Sequence, residues 1–345
     1  MKIPRILRGI LKTAATWGMA AAALLVLPAG RSCLSAQETR YQSPQPTHAE
    51  LTPVAALLVQ SSPQIAQIWP GFWSGDQSFL LLSPSGGMLL VASFAPPSEF
   101  TAVPAAEAGP GMTGRAFTRD GSLPGMTPGT FPGLYDIAGH STYALPPMGA
   151  TLFRRLAFYT HEAFHYHQRL GATPWVSTPG DSIMGLSPIA FLRDSSILYD
   201  PDFRAALRRE DELLRRMMAE HDRSTLRTVS RQYLAARAER HRGRPDVLGI
   251  EQRYERREGT AVYVGCRAAG IALRDSAAVT SCFLRDLGEE KPANPALQFL
   301  RWRLYSVGAV LSLVLDRLEV PSWKAAVAAG EQLDQLVARA VARVP

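Results

Sequence analysis

The sequence lacks both a long apolar segment and, outside its first 36 residues, an excess of one charge. The apolar run from Thr13 to Leu27 spans about 15 residues, whereas a membrane-spanning helix needs about 20 strongly apolar ones. Five of the 37 basic residues, and none of the 30 acidic residues, lie within residues 1–36. The remainder carries 32 basic against 30 acidic residues. Such a balance does not provide the basic face that nucleic-acid binding requires, so we expect no nucleic-acid partner.

Cysteine is scarce, with three residues in 345, and Cys33 lies in a segment typical of a secretory signal peptide. Basic residues precede the apolar run, and small residues follow it at Ser35 and Ala36. We expect cleavage after Ala36 and export to the periplasm or the medium. Lipid attachment at Cys33 is the alternative, which Arg31 disfavours. Membrane contact is therefore expected only through the signal peptide or such an anchor.

The two cysteines beyond this segment are Cys266 and Cys282. An exported protein meets an oxidising compartment, in which such a pair can form a disulfide. Two buried free thiols are the alternative.

Signatures of several other enzyme classes are missing. The nearest approach to the GxSxG elbow of serine hydrolases is GHSTY at residues 139–143, which fails at its last position. The glycine pair at residues 86–87 lies in a hairpin turn without a following helix, unlike a phosphate-binding loop. Di-iron bundles use two ExxH pairs, and the chain has one, at Glu162 and His165.

The N-terminal part of the chain has the pattern of short strands. Apolar runs at Phe79–Leu82 and Met88–Phe94, separated by Ser, Pro and Gly, predict a β-hairpin. His140–Leu145 predicts a further strand, and Leu51–Gln60 a short helix. The glycines and prolines of residues 101–133 predict an irregular surface connection.

From Thr151 onwards helical periodicity dominates, with a loop near residues 171–187. Helices are predicted near residues 151–170, 201–219, 223–242, 248–273, 296–318 and 322–343. The sequence therefore predicts an α+β protein in three parts: a signal peptide (1–36), an N-terminal β-containing region (37–150) and a mainly helical region (151–345).

The segment HEAFHYHQ, residues 161–168, suggests metal chemistry. On a helix His161 and His165 project from one face and can bind one zinc ion, while Glu162 is offset by about 100° and can act as a base toward water. The alternative is an amphipathic helix with histidines at its polar edge. His167 projects to the far side of the helix, and we expect it to be partly exposed or hydrogen-bonded rather than a ligand.

A catalytic zinc site usually has three protein ligands and one open position. The HExxHxxGxxH extension is absent, because Gln168 and Gly171 occupy its last two defined positions. The third ligand must therefore come from another segment.

The segment EQRYERREGTAVYVG, residues 251–265, offers this ligand at Glu258. Gly259 and Ala261 are small enough to allow a close helix contact, and a glycine within a helix costs about 1 kcal/mol, so it needs a reason. Packing against the 151–170 helix is the reason we expect. Glu255, one turn earlier, is the alternative ligand.

HEAFH together with EGTA resembles the gluzincin metallopeptidases, in which HExxH on one helix is completed by a glutamate on a later helix. The helix LYSVGAVLSLVLDRL, residues 304–318, adds a weaker similarity, and the resemblance covers about a quarter of the chain. It implies a zincin-like fold, zinc bound by His161, His165 and Glu258, and Glu162 as the general base.

The resemblance also implies a tyrosine that hydrogen-bonds the oxyanion, and Tyr305 stands in a suitable place. A core tyrosine is the alternative for Tyr305, and Tyr263 is its rival for the role. Three departures stand out: no GxMEN segment is present, position 262 is Val rather than Asp, and 92 residues separate His165 from Glu258. The intervening helices are therefore expected to form an inserted lobe or cap.

These observations predict an exported zinc hydrolase, a metallopeptidase acting on a peptide or protein. Zinc hydrolysis of a non-peptide bond is an open alternative, as is a non-catalytic exported binding protein that keeps a structural or vestigial site. Glu162 favours catalysis, because a structural site needs no carboxylate beside a ligand histidine. The strand at residues 140–145 is hypothesised to be an edge strand that holds an extended peptide.

Overall fold

The computed structural model describes residues 49–83, 86–121, 133–170, 175, 200–288 and 295–342. The predicted signal peptide, with Cys33, lies outside the described residues, and so does nearly all of the 171–187 loop. The described residues form a mixed α+β structure and belong to one compact unit, Pro44–Pro345. No helix among them is long and apolar enough to cross a membrane.

Six strands form one mixed sheet. They are β1 (Phe79–Leu82), β2 (Gly87–Val91), β3 (Thr101–Ala102), β4 (Ala116–Asp120), β5 (Gly133–Ile137) and β6 (His140–Leu145). Their spatial order is β3-β4-β2-β1-β6-β5. The β1–β6 pair is parallel and the other pairs are antiparallel.

The predicted β-hairpin is confirmed as β1 and β2, with Phe79 opposite Val91. Its strands are continuous apolar runs because both faces of the sheet are covered. Alternate residues enter two cores: Leu81 and Leu89 face the main one, while Leu80 and Leu90 face a smaller one on the other side.

Two expectations about the N-terminal part are wrong. Residues 101–133 are not wholly irregular, because β3 and β4 lie within them and β4 pairs along the whole of β2. The strand at 140–145 exists as β6, but it is not an edge strand: β1 pairs with one side of it and β5 with the other. These pairings link segments distant in sequence, which local patterns do not reveal.

The helices follow the predicted order. They are α1 (Thr52–Ile65), α2 (Leu152–Leu170), α3 (Pro201–Ala219), α4 (Arg223–Arg240), α5 (Pro245–Tyr254), a π-helix (Glu255–Gly259), α6 (Thr260–Leu273), α7 (Ser276–Leu284), α8 (Pro295–Arg317), α9 (Trp323–Ala328) and α10 (Leu333–Ala342).

The helical predictions needed three corrections. The predicted 248–273 helix contains the π-helix, and the predicted 322–343 helix is broken at Gly330, whose φ is 109°. Helix α7 was missed; Asp275 caps its first turn by accepting a hydrogen bond from the Ala278 amide. A disulfide joins Cys266 on α6 to Cys282 on α7, so the paired alternative is the observed one.

Helices α3 and α4 lie in the described part of the segment expected to form a lobe or cap, and both contact helices that lie later in the chain. Arg303 on α8 forms buried ion pairs with Glu210 and Asp211 on α3. Arg231 on α4 donates two hydrogen bonds to the carbonyl of Val341 on α10. The described part of the 92-residue interval is thus tied to the helices around it.

Candidate metal centre

Three side chains from α2 and the π-helix converge on one point. Nε2 of His165 lies 3.1 Å from Nε2 of His161 and 3.0 Å from Oε2 of Glu258. Nε2 of His161 lies 3.6 Å from the same carboxylate oxygen. His165 and Glu258 are buried, and His161 is partly exposed. Among the described residues, these three form the only group of His, Cys, Asp or Glu side chains arranged to hold a metal ion.

A glycine lets α2 lie close to α6, the helix that directly follows the π-helix. A Cβ added to Gly265 on α6 would lie 2.5 Å from the carbonyl oxygen of Ala157 and 3.1 Å from Cβ of His161. Helix α2 therefore rests directly on the α6 backbone beside its first ligand. The expected contact of Gly259 with α2 is wrong: a Cβ on Gly259 would overlap Cα of Gly308, so this glycine serves the contact with α8.

Gln168 connects the two ligand segments, and the sequence reasoning missed it. Its Oε1 lies 2.8 Å from Nδ1 of His165, and its Nε2 donates to the Arg257 carbonyl at 3.0 Å and to Oγ1 of Thr260 at 3.1 Å. Residues three apart on a helix are neighbours, so the position of Gln168 relative to His165 could have predicted this contact.

The Gln168 contacts fix the protonation of His165. An amide oxygen only accepts hydrogen bonds, so Nδ1 of His165 carries a proton and the neutral ring presents a lone pair at Nε2. That lone pair faces the Glu258 carboxylate and the second imidazole. Facing lone pairs repel each other, and a further proton or a cation between the three atoms removes that repulsion.

Burial and the opposite charges of the neighbouring groups together shift the pKa values of His165 and Glu258. Burial opposes the charged form of both side chains. For His165 the Glu258 carboxylate outweighs burial and raises the pKa. For Glu258 the two histidines outweigh burial and hold the pKa well below its usual range.

Glu162 lies beside the cluster and reaches solvent. Its Oε1 is 3.9 Å from Nε2 of His161, and a third of its side chain is exposed, at 33%. The carboxylate therefore adjoins the possible metal position without belonging to the group of three. This is where a base acting on water beside a metal ion would have to lie.

The two tyrosines considered for the oxyanion differ in their surroundings. The Tyr305 ring stacks beside His161, with centroids 6.2 Å apart and planes inclined by 23°. Tyr263 instead donates its hydroxyl hydrogen bond to Asp316 and accepts one from Arg267. The structure thus brings Tyr305, and not Tyr263, to the centre.

The alternative ligand and the third histidine lie elsewhere. Arg237 binds both carboxylate oxygens of Glu255, at 2.8 and 2.9 Å, so Glu258 is the glutamate that meets the histidines. His167 packs against Phe72 and Phe164, and burial lowers its pKa to about 4. The expectation of partial exposure for His167 is wrong, because the aromatic core covers that side of α2.

The spacing of the three ligand atoms fits zinc. Ligands arranged tetrahedrally at 2.0–2.1 Å from zinc lie about 3.3–3.4 Å apart, and the observed separations of 3.1, 3.0 and 3.6 Å bracket that value. Two imidazole nitrogens and one carboxylate oxygen also form the donor set of many catalytic zinc sites. A hydrogen bond from the ring nitrogen remote from the metal is the usual support for such a histidine.

Comparison of the chain with protein-family models, characterised proteins and solved structures finds no match.

Proposed function

We propose that this protein is an exported zinc-dependent hydrolase, a metallopeptidase of the gluzincin type with a zincin-like fold. The observation that carries the proposal is the convergence of His161, His165 and Glu258 with the atom spacing of a zinc site. Glu162 in the next position supports catalysis over a purely structural site. The proposal of export rests on the basic and apolar pattern of residues 1–36.

Each residue of the centre has a distinct task. Zinc held there would polarise a substrate carbonyl and lower the pKa of water. Glu162 takes the proton from the attacking water and passes it on to the leaving amine. Tyr305, stacked on His161, donates a hydrogen bond to the oxygen that gains negative charge.

Rigid positioning supports this chemistry. Gln168 holds the ring of His165 and ties it to the Arg257 carbonyl, so two ligands on different segments move together. Gly265 lets α2 lie directly against α6, which continues from the π-helix. Fixed ligands preserve an open position for water and substrate.

The decisive experiment is metal analysis by plasma mass spectrometry of the purified protein and of the variants His161→Ala and Glu258→Ala. We expect about one zinc per chain in the parent, as three protein ligands imply, and loss of zinc in both variants. Glu212→Ala, at an exposed position on α3, is the control. A screen of fluorogenic peptides then tests cleavage.

Two results would contradict the proposal. A parent that takes up no zinc after reconstitution has no metal centre. A parent that binds zinc but cleaves no peptide in a broad library is the non-catalytic binding protein considered as the alternative, or acts on another bond.

A further inference from the structure

Glu258, the third residue of the proposed metal centre, lies in a π-helical turn that interrupts its helix. The five residues Glu255–Gly259 form a π-helix between α5 and α6, and Glu258 is its fourth residue. A π-helical turn hydrogen-bonds from i to i+5, is wider than an α-helical turn and is rare, so it persists only where neighbouring contacts hold it. The contacts that hold this turn therefore control the direction of Glu258.

The wide turn separates two glutamates. In an α-helix residues three apart project about 60° from each other, because each residue rotates by about 100°. A wider turn rotates less per residue, so Glu255 and Glu258 diverge further. Glu258 accordingly faces α2, and Glu255 faces α4.

A buried ion pair holds the first residue of the turn. Nη1 and Nη2 of Arg237 donate to the two carboxylate oxygens of Glu255 at 2.8 and 2.9 Å. Both residues are almost fully buried, with 2% and 1% of their surface exposed. Two parallel bonds from a planar guanidinium fix direction as well as distance.

Contacts on α4 itself and with other helices also hold Arg237 in place. Its Nη1 donates to the hydroxyl of Tyr233 at 3.0 Å, and its Nε lies 3.3 Å from the carboxylate of Asp334 on α10. Gln252 donates to that carboxylate as well. The guanidinium is thus held by several contacts besides its pair with Glu255.

Helix α8 closes the other side of the turn. A Cβ on Gly308 would overlap the carbonyl oxygen of Glu255, and one on Gly259 would overlap Cα of Gly308. The backbone of the turn therefore rests against α8, while its first side chain is held by α4.

We propose that Arg237 is a positioning residue for the metal centre, which acts by holding Glu255 and thereby the π-helical turn that directs Glu258 at His161 and His165. This inference rests on the metal centre proposed above. Loss of the Arg237–Glu255 pair allows the turn to relax and turns the Glu258 carboxylate away from the histidines.

Arg240 provides a matched control. It lies one turn further along α4 and is also buried. Its ion pairs are with Glu210 and with Glu251, a partner that Arg237 also meets at 3.6 Å, and not with a residue of the π-helix. Replacing either arginine removes a buried guanidinium from the same helix. Only the replacement of Arg237 is expected to change the zinc affinity of the metal centre.

The test compares zinc affinity in the parent, Arg237→Met, Arg237→Lys, Glu255→Gln and Arg240→Met, by competition with a chromophoric chelator. We expect Arg237→Met to weaken zinc binding about 10- to 100-fold, as the loss of outer-shell partners does. Arg240→Met should lower the melting temperature and leave zinc affinity within about twofold, because the ion pairs of Arg240 are with Glu210 and Glu251 and not with the π-helical turn. Arg237→Lys should fall between, because it keeps the charge without the paired bonds.

Cobalt provides a second readout in the same variants. The visible absorption bands of bound Co²⁺ report its coordination, and they should shift in Arg237→Met and Glu255→Gln but not in Arg240→Met. Near-ultraviolet circular dichroism checks folding; if Arg237→Met does not fold, Arg237→Lys and Glu255→Gln decide.

The outcomes separate this inference from the proposed function. Parent protein that binds no zinc overturns both. Parent protein that binds zinc, with equal affinity losses in the Arg237 and Arg240 variants or none in either, overturns the positioning role alone.

Discussion

The backbone of Gly265 lies directly against the carbonyl of Ala157, so that a Cβ at residue 265 would stand 2.5 Å from that oxygen. This contact joins α6 to α2 one turn before His161. The distance between α2 and α6 therefore depends on the absence of a side chain at residue 265.

We expect Gly265→Ala to destabilise the protein by about 1–3 kcal/mol, the usual cost of overpacking a core, and to weaken zinc binding by separating α2 from α6. Chemical denaturation and chelator competition measure the two effects. Gly249→Ala is the control: its Cβ would meet only a flexible arginine end at 3.6 Å, and alanine favours helix. A Gly265→Ala variant as stable as Gly249→Ala would show that the contact has no importance.

Substitutions of Gln168 can separate its role as a hydrogen-bond acceptor for His165 from its role as a donor to Arg257 and Thr260. Gln168→Met removes the acceptor for His165 and both donors, and should weaken zinc binding about 10- to 100-fold. Gln168→Glu keeps the acceptor but loses the donors to Arg257 and Thr260, so its zinc affinity should lie between those of Gln168→Met and the parent. Equal affinities in all three proteins would rule out the connecting role.

Glu162→Gln tests the base directly. We expect turnover to fall by about 10²- to 10⁴-fold, the usual contribution of general acid–base catalysis, with zinc content unchanged because Glu162 is outside the group of three. Glu212→Gln, at an exposed position on α3, is the control. Peptide cleavage by Glu162→Gln at the parent rate would contradict the mechanism.

The buried charges near α4 make stability depend on pH. Burial opposes ionisation of Glu251, but Arg240 and His241 outweigh it and hold the pKa of Glu251 well below 4.5. A lowered carboxyl pKa contributes stability above the unfolded-state value of about 4.3, and this contribution disappears as pH falls toward the folded-state pKa. Denaturation should therefore show that the parent is more stable than Glu251→Gln at pH 5 and that this advantage shrinks below pH 4. A constant difference down to pH 2 would contradict the assignment.

Much of the fold could be predicted because the relevant forces are local. The hairpin followed from two apolar runs around a turn, and α2 from apolar periodicity without internal glycine or proline. The missed features depended on distant partners. Pairing of β4 with β2 made a strand of AFTRD, which has no strong strand pattern. Asp275 caps a helix between the predicted helices 248–273 and 296–318, where none was predicted.

The sequence by itself determined the chemistry available at the centre, because the spacing of His161, Glu162 and His165 fixes which side chains share a helix face. Only the tertiary structure decided which glutamate joins them. Glu255 and Glu258 are three positions apart on one predicted helix, so the sequence favoured Glu258 but left Glu255 open as the alternative. The wide π-helical turn, held between Arg237 and Gly308, sends one to an arginine and the other to the histidines, and those holding contacts come from helices far away in the chain.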